Sequence, residues 1–447
     1  MKTLFSLLVL ILLTACGGGG GGGVADSGNA YFGQAVSAGA FSYYSDGSTS
    51  NPVSYLYAQD LDGDGLDEVL MVAFETQPNT PLQYSPTGVR VWGWQGGRFQ
   101  DLTAQWLPSG QDQVGGVGDV AFGDFDGDGR LDVFLSAYTD MEHPVQAYAL
   151  MNRGGTFERV ALGESTWQHA VASADVNNDG YADVVVAGYS NFPQYLGSAN
   201  GLVPYQGMVG SSGVALGDFL GNNTQQAIFV DADGQGDGRS GVNDTALYSL
   251  GVDALSQTVS WTRIAALPRP RLAALEDATH SSHDIRARAV DFDADGLLDV
   301  VVFSYFFMSA RQDAESAHRS EIQFLRNKGG AVFEDVTSQY RKGYDTSSYP
   351  GYTPVFRDFN GDGRLDLFTS QPDFFASGRH KSSTLLLQQA DHSFRDTAKS
   401  ELSSMIASAG GQGVMAKGPA GRWYLVKEGA WQRDSLTRVW LHEVKGF

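Results

Sequence analysis

The residues best equipped for chemistry in this sequence are carboxylates that recur on one template. Asp60, Asp62 and Asp64 stand at alternate positions, Gly65 follows, and Glu68 occupies the ninth place. The pattern returns as Asp124, Asp126, Asp128 and Asp132, and as Asp175, Asn177, Asp179 and Asp183. It returns twice more, as Asp291, Asp293, Asp295 and Asp299, and as Asp358, Asn360, Asp362 and Asp366. A hard divalent cation such as Ca²⁺ takes about six to eight oxygens at about 2.3–2.6 Å. In a tight loop, positions 1, 3 and 5 aim side-chain oxygens at one centre, and glycine at position 6 permits the turn. Position 7 (Leu66, Arg130, Tyr181, Leu297 and Arg364) has a backbone carbonyl to give, and the acid at position 9 completes the cage. Without a cation, acids so spaced repel one another. The expectation is therefore about five Ca²⁺ sites.

The spacing excludes the helical alternative. An EF-hand needs a bidentate acid at position 12, where this chain has Met71, Leu135, Val186, Val302 and Thr369. Dockerin-type loops fail on the same requirement. A single such stretch is compatible with an ordinary Asp-Gly turn, but five on a common template are not. A sixth copy, Asp218-Phe-Leu-Gly-Asn222-Asn223, has Gln226 in the ninth place and is expected to hold no metal. A seventh unit survives only as apolar runs flanking a glycine-containing turn between Val414 and Val426.

Each loop lies between short β-branched and aromatic runs, such as Val120–Phe122 before and Val133–Leu135 after, which read as strands. A second hairpin follows, carried by Asn152, Gly154 and Gly155 in one unit and by Asn327, Gly329 and Gly330 in another. Asn and Gly there are read as turn residues that accept positive φ. The loops begin at residues 60, 124, 175, 218, 291 and 358, intervals that suit a four-stranded propeller blade with insertions. The fold class is accordingly all-β: a seven-bladed β-propeller, with six or eight blades as alternatives because the last unit is weak. That unit ends after three strands, the third at Arg438 to Val444, so Tyr31 to Ala40 is expected to supply its outer strand and close the ring.

The loop template resembles the FG-GAP or VCBS repeat, also found in the propeller of integrin α subunits. The resemblance covers residues 26–447 and implies that the loop joins the first two strands of each blade and that its acids ligate calcium. It also implies that ligands bind on the opposite face.

The opening residues read as an export signal. Lys2 precedes an apolar run from Leu4 to Leu13, and Leu13-Thr14-Ala15-Cys16 follows the lipobox pattern. Residues 1–15 are expected to be removed, Cys16 lipidated, and 16–25, including Gly17 to Gly23, to act as a flexible tether. By resemblance to bacterial lipoproteins the expected location is the outer membrane, on the periplasmic or cell-surface side. Cys16 is the sole cysteine, so no intramolecular disulfide is available. The formal net charge of −21 argues against nucleic acid as a partner. Five divalent ions would offset about ten of those charges.

The loops expected on the face away from the acids are aromatic. Trp167, His169, His283, Tyr305, Phe306, His318, Tyr352, Arg379 and His380 are the candidate ligand-contacting residues. The reading is a non-catalytic module that binds a glycan or protein. The alternative is a calcium-dependent polysaccharide lyase or related enzyme, with His169, His283 or Arg286 as candidate bases. No G-x-S-x-G elbow, H-E-x-x-H helix or phosphate-cradling loop occurs. His280, His283 and His318 with Asp284 form no recognised transition-metal spacing.

Overall fold

The computed structural model describes residues 32, 35–41, 53–74, 87–108, 110–138, 144–188, 192–207, 209–230, 245–269, 271, 280–308, 320–342, 353–370, 383–397, 412–428 and 437–445. The signal segment, the tether with Cys16, and His318, Tyr352, Arg379 and His380 lie outside the described residues, as do the side chains of His283, Tyr305 and Phe306.

Apart from a small two-stranded sheet of Thr87–Gly88 and Gln113–Val114, the described strands form seven blades, each with a four-stranded antiparallel sheet, in sequence order in all but the last. The sixth carries one extra two-residue strand, Arg341–Lys342, which pairs in parallel with Phe394–Asp396. The innermost strand of each blade leads into the acid loop or its relic: Val53–Gln59, Val117–Gly123, Gln168–Ala174, Gly213–Gly217, His280–Val290, Val355–Arg357 and Gly413–Lys417. A strand packed between two neighbouring blades is apolar on both faces rather than alternating. Hence Asp132–Ala137 and Asp183–Gly188 are buried at every position.

The core is divided among the blade interfaces. One apolar cluster joins blades 1 and 2 through Val72, Val91, Val120 and Leu135. Equivalent clusters join 2 to 3, 3 to 4, 4 to 5, 5 to 6 and 6 to 7. The seventh packs Val414 and Val439 of blade 7 against Val69 and Trp92 of blade 1, which completes the circle at seven. Val36–Phe41 is the outer strand of blade 7, antiparallel to Thr437–Glu443, with Phe41 opposite Thr437. Closure by an N-terminal strand thus holds, one residue beyond the expected end. It leaves the last blade no unpaired outer edge at Thr437–Glu443 of the kind that templates aggregation.

Two expectations change. Tyr305 and Phe306 belong to the strand Asp299–Met308 and not to a loop; backbone pairing sets Tyr305 opposite His283 and Phe306 opposite Ser282. Asn152 and Asn327 are not the positive-φ residues of their hairpins; Gly154, Gly155, Gly329 and Gly330 are. Both asparagines end buried strands, and their side chains do something else.

Candidate metal loops and recognition face

The acid loops share one backbone. At position 6, Gly65, Gly129, Gly180, Gly296 and Gly363 have φ between 82° and 92°, a region that a side chain would strain. The carboxylate at position 1 clamps the turn: Asp124 accepts the N–H of Asp128 at 3.0 Å and of Gly129 at 2.9 Å, and Asp175 does the same with Asp179 and Gly180. Position 5 accepts the N–H of position 7, as Asp128 does from Arg130 and Asp295 from Leu297. In three loops the acids converge so that one oxygen from each lies within 4.8 Å of the others: Asp60, Asp62 and Glu68; Asp124, Asp126 and Asp132; Asp291, Asp293 and Asp295. In the other two, Asn177 and Asn360 replace one acid with an amide oxygen, and Asn177 accepts the Asp179 N–H at 3.0 Å.

The ninth-position acids are buried, and four of them are wholly so: Asp132, Asp183, Asp299 and Asp366. Each of those four uses one oxygen for the N–H of position 2 and the other for an N–H beside the third strand of its own blade. For Asp183 these are Val176 at 2.9 Å and Gly197 at 2.7 Å; for Asp132 they are Phe125 at 3.0 Å and Asn152 at 2.7 Å. Burial, reinforced by the neighbouring loop acids, raises Glu68 to about 8, Asp183 and Asp299 to about 7, and Asp132 and Asp366 to about 6. These are negative sites that favour a proton or a cation.

The third-strand amides complete the assembly. While its N–H binds its own blade's acid, Asn152 sends its side-chain N–H to the Leu61 carbonyl of blade 1 at 2.7 Å. Asn327 reaches the Phe219 carbonyl of blade 4 at 2.8 Å, and Gln388 the Phe292 carbonyl of blade 5 at 2.6 Å. One residue therefore couples a loop to the loop of the preceding blade. A local reading of Asn-Gly pairs could not reveal this; the recurrence of an amide side chain at the end of the third strands of blades 2, 5 and 6 was the available signal.

Blade 4 has an amide in place of the ninth-position acid. Its loop has the same shape, with Asn223 at φ 61° and Asp218 accepting the N–H groups of Asn222 and Asn223 at 2.9 and 2.7 Å. Gln226 Nε2 donates to the Thr224 carbonyl at 2.6 Å, the Thr224 hydroxyl at 2.7 Å and the Asn222 side-chain oxygen at 3.3 Å. These are oxygens of positions 5 and 7, the positions assigned to a cation in the other loops. An N–H donor stands where the template would set an ion, so the donor set of the five acid loops fits a hard cation.

A model of the FG-GAP-like repeat matches residues 60–135 and 291–369, and one of the FG-GAP repeat matches residues 167–202. The chain carries FG-GAP repeats within its seven-bladed propeller. Among solved structures, a protein from Lactobacillus plantarum is similar over 78% of this chain and 85% of its own, with a TM-score of 0.43 and 13% identity, too distant to bear on function. No curated protein matches.

In this propeller the face opposite the acid loops is formed where first strands begin and second strands end. Tyr138, Trp167 and His169 meet there between blades 2 and 3. The His169 ring lies 5.1 Å from Tyr138 and 5.9 Å from Trp167, both edge-on, and all three are half-buried. Trp167 holds φ 53°, an uncommon and costly conformation for a bulky residue. Two of the expected contact residues are therefore together, and Tyr138 joins them. Arg286, weighed as a base, is a buried guanidinium 3.7 Å from the Asp119 carboxylate, an arrangement that fixes a positive charge.

Proposed function

We propose that this propeller is a calcium-stapled, lipid-anchored extracytoplasmic module that binds a glycan or protein ligand on the face opposite its acid loops, without catalysis. The observation that carries the recognition half is the Tyr138–Trp167–His169 cluster, with Trp167 held in a costly backbone conformation on that face. Half-exposed aromatic rings supply flat apolar surface for sugar faces or for a protein side chain at small entropic cost. The raised ninth-position acids and the amide that replaces the cation in blade 4 support calcium as the staple. The export and lipidation reading rests on Leu13-Thr14-Ala15-Cys16 and the glycine run that follows.

The test is a glycan and secreted-protein binding screen on residues 26–447 with and without calcium. Its hits are repeated with Trp167→Ala and Tyr138→Ala, whose folding is checked by circular dichroism. The reading requires a ligand whose affinity falls at least tenfold in either variant with no product formed. Unsaturated sugars released from an acidic polysaccharide would replace it with a lyase. Labelling with radioactive fatty acid, abolished by Cys16→Ser, tests the anchor.

A further inference from the structure

First strands are innermost, so a side chain from blade 5 that touches blade 2 must cross the central channel. Arg286 does this. Its Nε lies 3.7 Å from Asp119 Oδ2, and its Nη2 donates to the Gly118 carbonyl at 3.4 Å. Asp119 also accepts the Tyr57 hydroxyl of blade 1 at 2.8 Å, the Val171 N–H of blade 3 at 3.1 Å and its neighbour Val120 N–H at 2.9 Å. Four blades are thereby clasped through one carboxylate, whose two oxygens are fully engaged.

Arg288 lies two residues further along the same strand, on the same side of it and nearer the acid loops. It is half-buried, and its Nη1 donates to the Ala287 carbonyl at 3.0 Å. Burial lowers its pKa most, Asp119 pulls it up, and Arg286 lowers it again. Two guanidiniums thus share one carboxylate that is already saturated. Among the described residues Asp119 is the one carboxylate acting on Arg288, and a partly enclosed guanidinium that shares its counter-charge is favoured by an anion that meets it. In a chain of net charge −21, this local positive excess is not a sample of the general composition.

A guanidinium presents a planar fork of donors that matches the paired oxygens of carboxylate, sulfate and phosphate. We propose that Arg288 anchors a small-oxyanion site in the central channel, on the acid-loop side of the Arg286–Asp119 clasp. The site is separate from the aromatic face and does not depend on it.

Calorimetry of the calcium-loaded protein with inorganic sulfate, inorganic phosphate and galacturonate, at constant ionic strength, tests it. Saturable binding of at least one of the three is expected. Arg288→Gln should weaken it at least tenfold, Arg288→Lys should fall between, and Arg98→Gln, at an exposed outer position, should match the wild type. Binding of sulfate or phosphate marks a free-ion site, and binding of galacturonate alone marks a site for a carboxylated ligand. No saturable heat from any of them, or equal affinity in Arg288→Gln, overturns the proposal. Should Arg288→Gln fail to fold, selenate soaked into wild-type crystals gives the answer by anomalous diffraction. A peak within hydrogen-bonding reach of Arg288 supports the site and its absence refutes it.

Discussion

Replacing Asp183 with asparagine separates the two duties of a ninth-position acid. The carboxylate accepts backbone N–H groups from Val176 at 2.9 Å and Gly197 at 2.7 Å, with no exposure to solvent. An amide keeps one acceptor and sets N–H against N–H at the other, which costs about 1–3 kcal/mol for a buried unsatisfied group. If calcium is the staple proposed above, the substitution also removes a ligand from the loop of Asp175, Asn177 and Asp179. With calcium at 100-fold above the dissociation constant, emptying that site costs a further ~2.7 kcal/mol. In calcium the loss should therefore be about 4–6 kcal/mol, and in chelator no more than about 1–3 kcal/mol, since removing a negative charge near Asp175 and Asp179 offsets part of it. Urea unfolding followed by tryptophan fluorescence, run with calcium and with chelator, measures both. A destabilisation that is the same in the two media would refute the assignment of Asp183 as a cation ligand.

Other consequences follow from the same geometry. Gln226→Ala should destabilise the protein equally with and without calcium and leave the number of bound ions unchanged in native mass spectrometry, whereas Asp366→Asn should lower that number by one. The metal-free protein should lose stability as pH rises. The ninth-position acids titrate at about 6 to 8 when folded, above the ordinary carboxylate value, so the folded state binds more protons in that window and stability falls from about pH 4 to pH 8. Calcium should flatten that slope, and a slope unchanged by calcium in thermal melts at pH 5, 6, 7 and 8 would contradict it. Deleting residues 31–41 removes the partner of Thr437–Glu443 and should give a lower melting temperature with concentration-dependent association, read by light scattering.

Much of this was legible in the sequence because its signals are local. Loop ligands sit at fixed offsets within nine residues, so Asp60 to Glu68 could be read without a neighbour, and the missing outer strand of the last unit pointed to the N-terminal segment. What escaped was set by contacts between distant residues. Asn152 reads as a turn former, yet it is valuable for a bond to Leu61, 91 positions away. Arg286 read as a candidate base because its partner Asp119 lies in another blade, across the channel. The strand carrying Tyr305 and Phe306 runs past its expected end because ten residues, from Asp299 to Met308, are paired with His280–Val290.

The glutamine in blade 4 has a mechanical corollary. Blade 4 supplies its own donor and blade 7 has no acid loop, so neither should respond when calcium is scarce. With calcium as the proposed staple, they divide the wheel into two ion-dependent arcs, blades 1 to 3 and blades 5 and 6. Under depletion the molecule should slacken as two sectors pivoting on two stiff spokes, with the polar bridge from Arg286 to Asp119 still holding one sector to the other.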